Sequence, residues 1–202
     1  INLLNLFFPK VCEACSSYLS DNERIICTLC RHELPVTNFH FNKDDTVKKV
    51  LYGRVQLEEA TALLHFSKKG LVQQLLHNLK YRGHEFIGEF LGAWLGEELK
   101  DLEGYKSIQY VLPVPLHKTK QRRRGFNQVE KFGKEIAKAL NAEYKNDVLL
   151  KKFGTRTQVF KNRIGRFDDS EAQFYIQNYQ DLVNSQVLIV DDIITTGATM
   201  ER

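Results

Sequence analysis

Residues 187–199, VLIVDDIITTGAT, decide how the rest of the chain is interpreted. Four apolar residues lead into Asp191 and Asp192, two more apolar residues follow, and the stretch closes with TTGAT. The apolar run is typical of a buried strand, and the cluster of small and hydroxyl-bearing residues is typical of a turn that opens a helix. The pattern therefore predicts a strand that carries two carboxylates at its carboxyl end, directly before a helix start.

The chemistry suited to this arrangement is recognition of a phosphorylated sugar. Adjacent carboxylates at a strand end can accept hydrogen bonds from hydroxyl groups, or help to hold a divalent cation. Residues 195–199 offer backbone N–H groups and three hydroxyls, and the partial positive charge of a helix start favours a phosphate at this place. Carboxylates that accept hydrogen bonds from two neighbouring hydroxyls, close to a turn that binds a phosphate, predict a ribose 5-phosphate site.

Two other interpretations of this stretch stay open. An apolar run followed by two aspartates also resembles the Walker B strand of nucleotide hydrolases, although the chain has no G-x-x-x-x-G-K-[ST] stretch to accompany it. A plain turn with a helix cap explains one threonine and one aspartate, but it leaves the order of the whole stretch unexplained.

Paired cysteines mark the amino-terminal end of the chain, in CEAC and CTLC: Cys12, Cys15, Cys27 and Cys30. Two CxxC knuckles let four thiolates meet around one tetrahedral ion, and zinc suits four sulfur ligands. A site with four protein ligands is closed, so we expect a structural clasp and not a catalytic centre. Two disulfides, or unligated thiols, are the alternatives. Residues 1–37 are predicted to form a small zinc-ribbon-like appendage.

The second predicted domain, residues 38–202, alternates strands with helices. Apolar runs predict strands at 60–66, 108–115, 147–150 and 185–190. Helical spacing of apolar residues predicts helices at 70–83, 85–100 and 126–140. This order predicts an α/β fold with a parallel sheet flanked by helices, in which ligands collect beyond the carboxyl ends of the strands.

Two segments of this domain carry more specific expectations. The polar stretch 38–49 is expected to be a linker. In the 85–100 helix an aromatic stripe is expected in the core, with Ile87, Leu91 and Leu95 flanking it: Phe86, Phe90 and Trp94.

Composition and charge limit the functional classes. The chain has 202 residues, of which 43% are hydrophobic, and a net charge of +4, so it can bury one core and exerts no global attraction on nucleic acid. No apolar run reaches the ~20 residues that cross a bilayer. The opening INLLNLFFPK lacks the basic lead-in and the cleavage site of a signal peptide. We therefore expect a cytoplasmic protein without a membrane span.

Two basic segments without acidic residues accompany the predicted sheet. Residues 113–128 contain five lysines and arginines, and residues 151–166 contain six. Because pyrophosphate carries several negative charges, we expect the backbone after Val114, together with Arg124, to approach it, and 151–166 to form a mobile hood. His117 lies in the first segment, where it suits a general acid or an ordinary polar loop. A solvated basic face is the alternative for the lysines.

The stretch VLIVDDIITTGAT resembles the phosphoribosyl pyrophosphate (PRPP) motif of type I phosphoribosyltransferases. The resemblance implies that Asp191 and Asp192 contact the ribose hydroxyls as the catalytic pair, and that residues 195–199 wrap the 5′-phosphate. The PRPP-binding residues expected in full are Val114, Arg124, Asp191, Asp192, Ile193, Thr195, Thr196, Gly197, Ala198 and Thr199. Mg²⁺ is expected to accompany PRPP.

Other stretches are similar to the ComF family: the paired CxxC, LKYRGH (79–84), VLPVPLHKTKQRRRGFNQVE (111–130) and KKFGTRTQVFKNRIGRF (151–167). In the last stretch Thr155, Gln158 and Arg166 match a spaced pattern. Lys151, and Asp169 just after the stretch, depart from the expected Arg and Asn. The resemblance implies a structural Zn²⁺ on a type I phosphoribosyltransferase-like fold and a link to the uptake of transforming DNA, with competence or recombination proteins as partners.

Two functions remain open at this stage. The chain is an enzyme that moves phosphoribosyl from PRPP with release of pyrophosphate, or a non-catalytic module that senses PRPP or binds single-stranded DNA. In the second case Phe126 or Phe153 is expected to stack on bases. A third reading, a zinc ribbon that reads bases itself, is disfavoured by Asp21 and Glu23 between its cysteines. Since only MER follows TTGAT, we also expect a helix and a strand of ~20–30 residues to be missing.

Overall fold

The computed structural model of the protein describes residues 9–116, 118–152 and 173–201. Its helices are α1 (Thr28–Glu33), α2 (Phe39–Asn42), α3 (Thr46–Leu51), α4 (Leu71–Tyr81), α5 (Phe86–Leu99), α6 (Glu103–Lys106), α7 (Lys118–Arg124) and α8 (Glu130–Ala139), with a 3₁₀ helix at Tyr179–Leu182. Its strands are β1 (Ile108–Pro113), β2 (Glu143–Tyr144), β3 (Leu149–Lys152), β4 (Gln173–Ile176) and β5 (Gln186–Val190).

A parallel sheet in the order β2-β1-β5 forms the centre of the fold. The register of β1 and β5 pairs Pro113 with Val190, so the two strands end together. Strands β3 and β4 form a separate antiparallel pair. The α/β class with a parallel sheet and flanking helices is confirmed, and β5 lies within the stretch from which it was predicted.

Two helices cover the sheet in successive layers. Helix α8 packs on β1 and β2, and α5 packs on α8. The approach of α5 to α8 depends on Gly92, because a Cβ at this position would collide with the carbonyl oxygen of Phe132. Leu75, Ile87 and Ile136 are fully buried in the core, each from a different helix. Burial of such side chains contributes about 1.5–3 kcal/mol each.

The aromatic stripe of α5 lies at the edge of the core and not inside it, as Phe90 and Trp94 pack against the core cluster from outside. Its buried face consists of Ile87, Leu91, Leu95 and Leu99, whereas Phe86 is 42% exposed. Phe90 and Trp94 lie half-buried beneath the guanidinium of Arg31, which is 5.8 and 5.5 Å from their ring centres. The small residues of α5 face α8, because the two helices approach each other closely there. The aromatic stripe therefore lies on another side of α5 and faces α1.

One linker prediction and one strand prediction are also corrected. Residues 38–49 are not a linker, since they form α2 and the start of α3 and bury Phe39 and Val47. The run 60–66 is not a strand of the sheet, because it meets the chain in one antiparallel bridge between Val36 and Leu64. Pro35 has no backbone N–H, so the ladder cannot extend there.

The described part of the chain contains no helix that is both long and apolar enough to cross a membrane.

Candidate functional site

The carboxyl ends of β1 and β5 bring two of the predicted site regions together. The backbone N–H of Val114 donates to the carbonyl of Val190 at 2.9 Å, which places Val114 beside Asp191. The side-chain amide of Asn127 donates to the carbonyl of Val114 at 3.1 Å and holds this strand end in place. The N–H of Val114 is hydrogen-bonded within the sheet, and Pro115 has no N–H. Backbone N–H donors to a ligand must therefore come from residues after Pro115.

The paired acids follow directly at the end of β5. The backbone N–H of Asp192 donates to the carboxylate of Asp191 at 2.7 Å. Asp192 also forms an ion pair with Lys80, the Nζ–Oδ2 distance being 2.7 Å, and their side chains are only 8% and 19% exposed. Sequence reasoning did not select Lys80, which belongs to LKYRGH, because a contact across more than a hundred residues leaves no local pattern.

Asp191 has an unusual acidity for an aspartate. Burial, followed by the negative charge of Asp192, raises its pKa from 3.8 to about 6. The N–H of Asp192 and the charges of Lys80 and Lys151 act in the opposite direction but do not cancel the shift. Raised pKa values of this kind are frequent at functional sites. A buried carboxylate destabilises the fold, and such a group is retained where ligand binding requires it.

This raised pKa predicts a pH-dependent stability. Between pH 4 and pH 6 the unfolded chain loses the Asp191 proton first, so the carboxylate increasingly destabilises the fold as the pH rises. Asp191→Asn removes this penalty. We expect the stability of the variant relative to the parent to rise by about 2 kcal/mol from pH 4 to pH 7. Chemical denaturation at both pH values measures this difference, the exposed Asp181→Asn serves as the control, and a difference that is constant with pH would contradict the assignment.

The predicted phosphate cradle is an exposed turn with one buried residue. Gly197 is buried with φ +76°, and a Cβ added to it would lie 2.5 Å from Cδ2 of Leu51, so glycine is required here. Thr195, Thr196, Ala198 and Thr199 are exposed. Within the described ranges, the N–H groups of residues 195–199 donate no hydrogen bond to another backbone group. They are therefore available to an anion.

The turn is held by an arginine that follows α3 and that the sequence did not indicate. Arg54 donates from Nη2 to the carbonyl of Thr196 at 2.7 Å, and its Nη1 lies 2.7 Å from the carboxylate of Glu201. The N–H groups of Met200 and Glu201 donate to the carbonyl of Gly197, at 2.9 and 3.1 Å, and close a turn after the cradle. At the predicted helix start the described residues therefore form a hydrogen-bonded turn and not a helix.

Two cavities flank the strand ends. Asp191, Asp192 and Ile193 line a cavity of about 460 Å³ whose other walls are mostly apolar, among them Val47 and Leu91. The cradle residues 195–199 do not line this cavity, so the two acids face it and the turn does not. A second cavity of about 540 Å³ lies at the end of β1 and is lined by Pro115, Leu116, Lys151 and other residues.

Arg124 is held at the end of α7 by side chains of two other segments. Its guanidinium lies 5.2 Å from the ring centre of Tyr81, and its Nη1 donates to Oε1 of Gln128 at 2.7 Å. Tyr81 follows Lys80, so the end of α4 contacts both predicted halves of the site. The remaining predicted residues lie outside the described residues: His117, Phe153, Thr155, Gln158 and Arg166.

The cysteines converge as their spacing predicts. All four are free, and their sulfur atoms lie within 4.8 Å of one another. The Cys15–Cys27 sulfur distance of 3.8 Å equals the edge of a tetrahedron with metal–sulfur bonds of about 2.3 Å. Backbone N–H groups of Cys27 and Cys30 donate to the sulfurs of Cys12 and Cys27, at 3.3 and 3.4 Å. The cluster can hold a structural metal such as zinc.

The cysteine clasp is fastened to α4 through Glu13. This buried carboxylate accepts a hydrogen bond from Nδ2 of Asn78 at 2.8 Å and lies 2.8 Å from Nδ1 of His84. Nδ2 of Asn78 also donates to the backbone carbonyl of Glu13 at 3.0 Å. The contact joins the clasp to the helix that carries Lys80.

Comparison with known proteins gives several related sequences. Competence protein ComFC of Streptococcus pneumoniae is 33% identical over 137 residues, which is 68% of this chain and 57% of that protein. Competence protein ComFC of Bacillus subtilis is 26% identical over 197 residues, covering 95% of this chain and 75% of that protein. DNA utilization protein YhgH of Shigella flexneri is 22% identical over 193 residues, covering 94% of this chain and 80% of that protein.

The chain thus spans little more than half of the pneumococcal relative and most of the other two. No family model matches it, and no solved structure matches it. Two of these three relatives are named Competence protein ComFC, and two of the three alignments run along nearly the whole chain. The protein therefore belongs to the ComF family.

Proposed function

We propose that the protein binds PRPP, or another ribose 5-phosphate ligand, at the ends of β1 and β5. The observation that carries this proposal is the placement of Asp191 and Asp192 shortly before an exposed turn whose N–H groups donate to no backbone carbonyl of the described residues. The acids suit the ribose hydroxyls, and the turn suits the 5′-phosphate. The names of the relatives support a role in competence and DNA uptake.

The same arrangement supports phosphoribosyl transfer. In that reaction the bond between C1 of the ribose and a pyrophosphate oxygen breaks, the electron pair leaves with pyrophosphate, and an acceptor or water bonds to C1. Asp191 and Asp192 hold the ribose while positive charge develops on its ring, and Arg124 at the end of α7 contributes positive charge towards the pyrophosphate. Mg²⁺, when bound with PRPP, offsets the charge of the leaving group.

Calorimetric titration with PRPP, with and without Mg²⁺, tests the proposal. We expect saturable binding of one PRPP per chain that is stronger in the presence of Mg²⁺. An assay for released pyrophosphate on the same sample then separates an enzyme from a PRPP sensor. Absence of binding to both PRPP and ribose 5-phosphate would show that the turn and acids are not a sugar-phosphate site.

A second candidate function is binding of single-stranded DNA. Arg122 and Arg123 are exposed on α7, and Tyr81, which is 59% exposed, lies beside Arg124. Exposed cations next to an aromatic ring suit a nucleic-acid strand, since the cations contact phosphates and the ring stacks on a base. The partners in this case are single-stranded DNA and competence or recombination proteins of the cytoplasm.

Neutralising the exposed arginines of α7 tests this second function. We expect Arg122→Gln/Arg123→Gln to weaken binding of an oligothymidylate and to reduce the slope of log K against log salt by about 0.7 for each lost phosphate contact. Fluorescence anisotropy at several salt concentrations measures both values. The control Lys10→Gln/Arg24→Gln makes the same change of charge at the clasp and should leave the slope unaltered. Equal slopes in all three proteins would exclude α7 from the binding surface.

We also assign zinc to the cysteine clasp. Four thiolates form a soft, tetrahedral ligand set, and the sulfur–sulfur distance of 3.8 Å between Cys15 and Cys27 fits the radius of zinc–thiolate bonds. Hydrogen bonds from the side chain and the backbone of Ser17 lower the pKa of Cys15 to about 6, whereas burial raises the pKa of Cys30, so Cys15 is the thiol that ionises more readily for a metal.

A further inference from the structure

Lys80 and Asp192 form a largely buried ion pair at the proposed sugar site. The ammonium lies 2.7 Å from Oδ2 of Asp192, and the two side chains are 19% and 8% exposed. Lys80 stands in the last turn of α4, where the helix dipole favours a cation. An ion pair in such a place offers little net stability, because the desolvation of both charges opposes their attraction. The role of this ion pair is therefore better inferred from its position at the strand end than from its contribution to stability.

The pair leaves one oxygen of Asp192 available. Oδ2 is engaged by Lys80, while Oδ1 accepts no hydrogen bond from the described residues. A carboxylate has two acceptor oxygens, and fixing one of them in an ion pair also fixes the direction of the other. The neighbouring Asp191 is oriented separately, through the N–H of Asp192. Each acid of the pair thus has its own constraint, and Lys80 supplies the one for Asp192.

We propose that Lys80 is a positioning residue of the sugar-phosphate site: by holding Oδ2 of Asp192, it directs Oδ1 towards a ribose hydroxyl. This inference rests on the proposed function. Lys80 acts on recognition of the diol and not on recognition of the phosphate, which is left to the turn at 195–199. It therefore contributes to the selectivity of the site for ribose 5-phosphate over sugar phosphates that lack the hydroxyls.

The test compares two probes that differ only in the diol. Calorimetry measures the binding of ribose 5-phosphate and of 2,3-dideoxyribose 5-phosphate to the parent, to Lys80→Met and to Lys80→Arg. The control is Lys145→Met, because Lys145 also pairs with an aspartate, Asp181, at 2.8 Å and is 14% exposed, but lines neither cavity. Thermal unfolding of each protein reports whether it is folded.

We expect the parent to prefer ribose 5-phosphate by at least tenfold. Lys80→Met should lose about tenfold or more in affinity for ribose 5-phosphate and less than threefold for the dideoxy probe, so that the preference disappears. Lys80→Arg should recover part of the preference, and Lys145→Met should keep all of it. Lys80→Met/Asp192→Asn, which leaves no unpaired buried charge, should be folded and equally unselective.

Three results would overturn the inference. A folded Lys80→Met that keeps the preference for the diol shows that Lys80 does not position Asp192. Equal losses for both probes show a structural role of α4 and not selectivity. A parent that binds neither probe removes the proposed function and Lys80 with it, and this failure differs from the other two because it already occurs in the parent.

Discussion

Asp191→Asn/Asp192→Asn is expected to abolish measurable PRPP binding. Removal of the destabilising Asp191 charge offsets part of the loss of the Lys80–Asp192 ion pair, so the protein should stay folded, which thermal unfolding checks. Each carboxylate is proposed to accept a hydrogen bond from a ribose hydroxyl, and a hydrogen bond to a charged group contributes about 1.5–3 kcal/mol. Loss of both therefore predicts a decrease in affinity of roughly 10²–10⁴-fold. Asparagine keeps the size of the side chain, so the turn at 195–199 and its phosphate contacts should persist.

Calorimetry at a fixed Mg²⁺ concentration measures this loss. The control Asp147→Asn/Asp181→Asn removes the same charge from two exposed positions and should bind PRPP like the parent. Affinity for an oligothymidylate should be unchanged in both variants, because DNA binding is assigned to α7. If the Asp191/Asp192 variant binds PRPP within threefold of the parent, the sugar site lies elsewhere.

Removal of the clasp metal is expected to have the largest effect on stability. Cys12 and Cys30 are 1% and 2% exposed, and they belong to the same core cluster as Leu75 and Leu79 of α4. Metal binding to such segments supplies much of their folding free energy. Even about 5 kcal/mol of destabilisation lowers the midpoint of thermal unfolding by roughly 10 °C or more in a chain of this size.

Mass spectrometry for metals should find one zinc per chain, and a chelator should remove it together with this part of the stability. Addition of zinc to the chelated protein should restore the original midpoint, which controls for irreversible damage. Cys12→Ser/Cys30→Ser should have the low midpoint with and without zinc. A purified protein that contains no metal and whose melting is insensitive to chelator would contradict the assignment.

The contact between Glu13 and α4 extends the consequence of metal loss beyond the clasp. Glu13 lies within the first CxxC, and its partner Asn78 is two residues before Lys80. Buried polar groups that lose their partners destabilise a fold by about 1–3 kcal/mol. Unfolding of the clasp therefore leaves Asn78 without its acceptor on the helix that contacts Asp192.

The strands, helices and cysteine cluster could be predicted because their signals are local. The apolar runs that contain β1 and β5 lie next to strong turn residues, and the leucines of α4 repeat at helical spacing. The CxxC pairs determine which sulfur atoms can meet, since each knuckle needs only two intervening residues. The errors arise where the structure depends on contacts between distant segments. The buried face of α5, for example, depends on its neighbour α8 and not on its own apolar pattern.

The sequence by itself determined that two acids follow an apolar strand, that a glycine-bearing turn follows them, and that four thiols are grouped in the first thirty residues. Only the tertiary structure decided that Lys80 meets Asp192, that Arg54 holds the turn, and that Glu13 joins the clasp to α4. These contacts join residues far apart in the chain. Neither partner carries a local mark of the other, because packing of helices and strands, and not backbone preference, brings them within hydrogen-bonding distance.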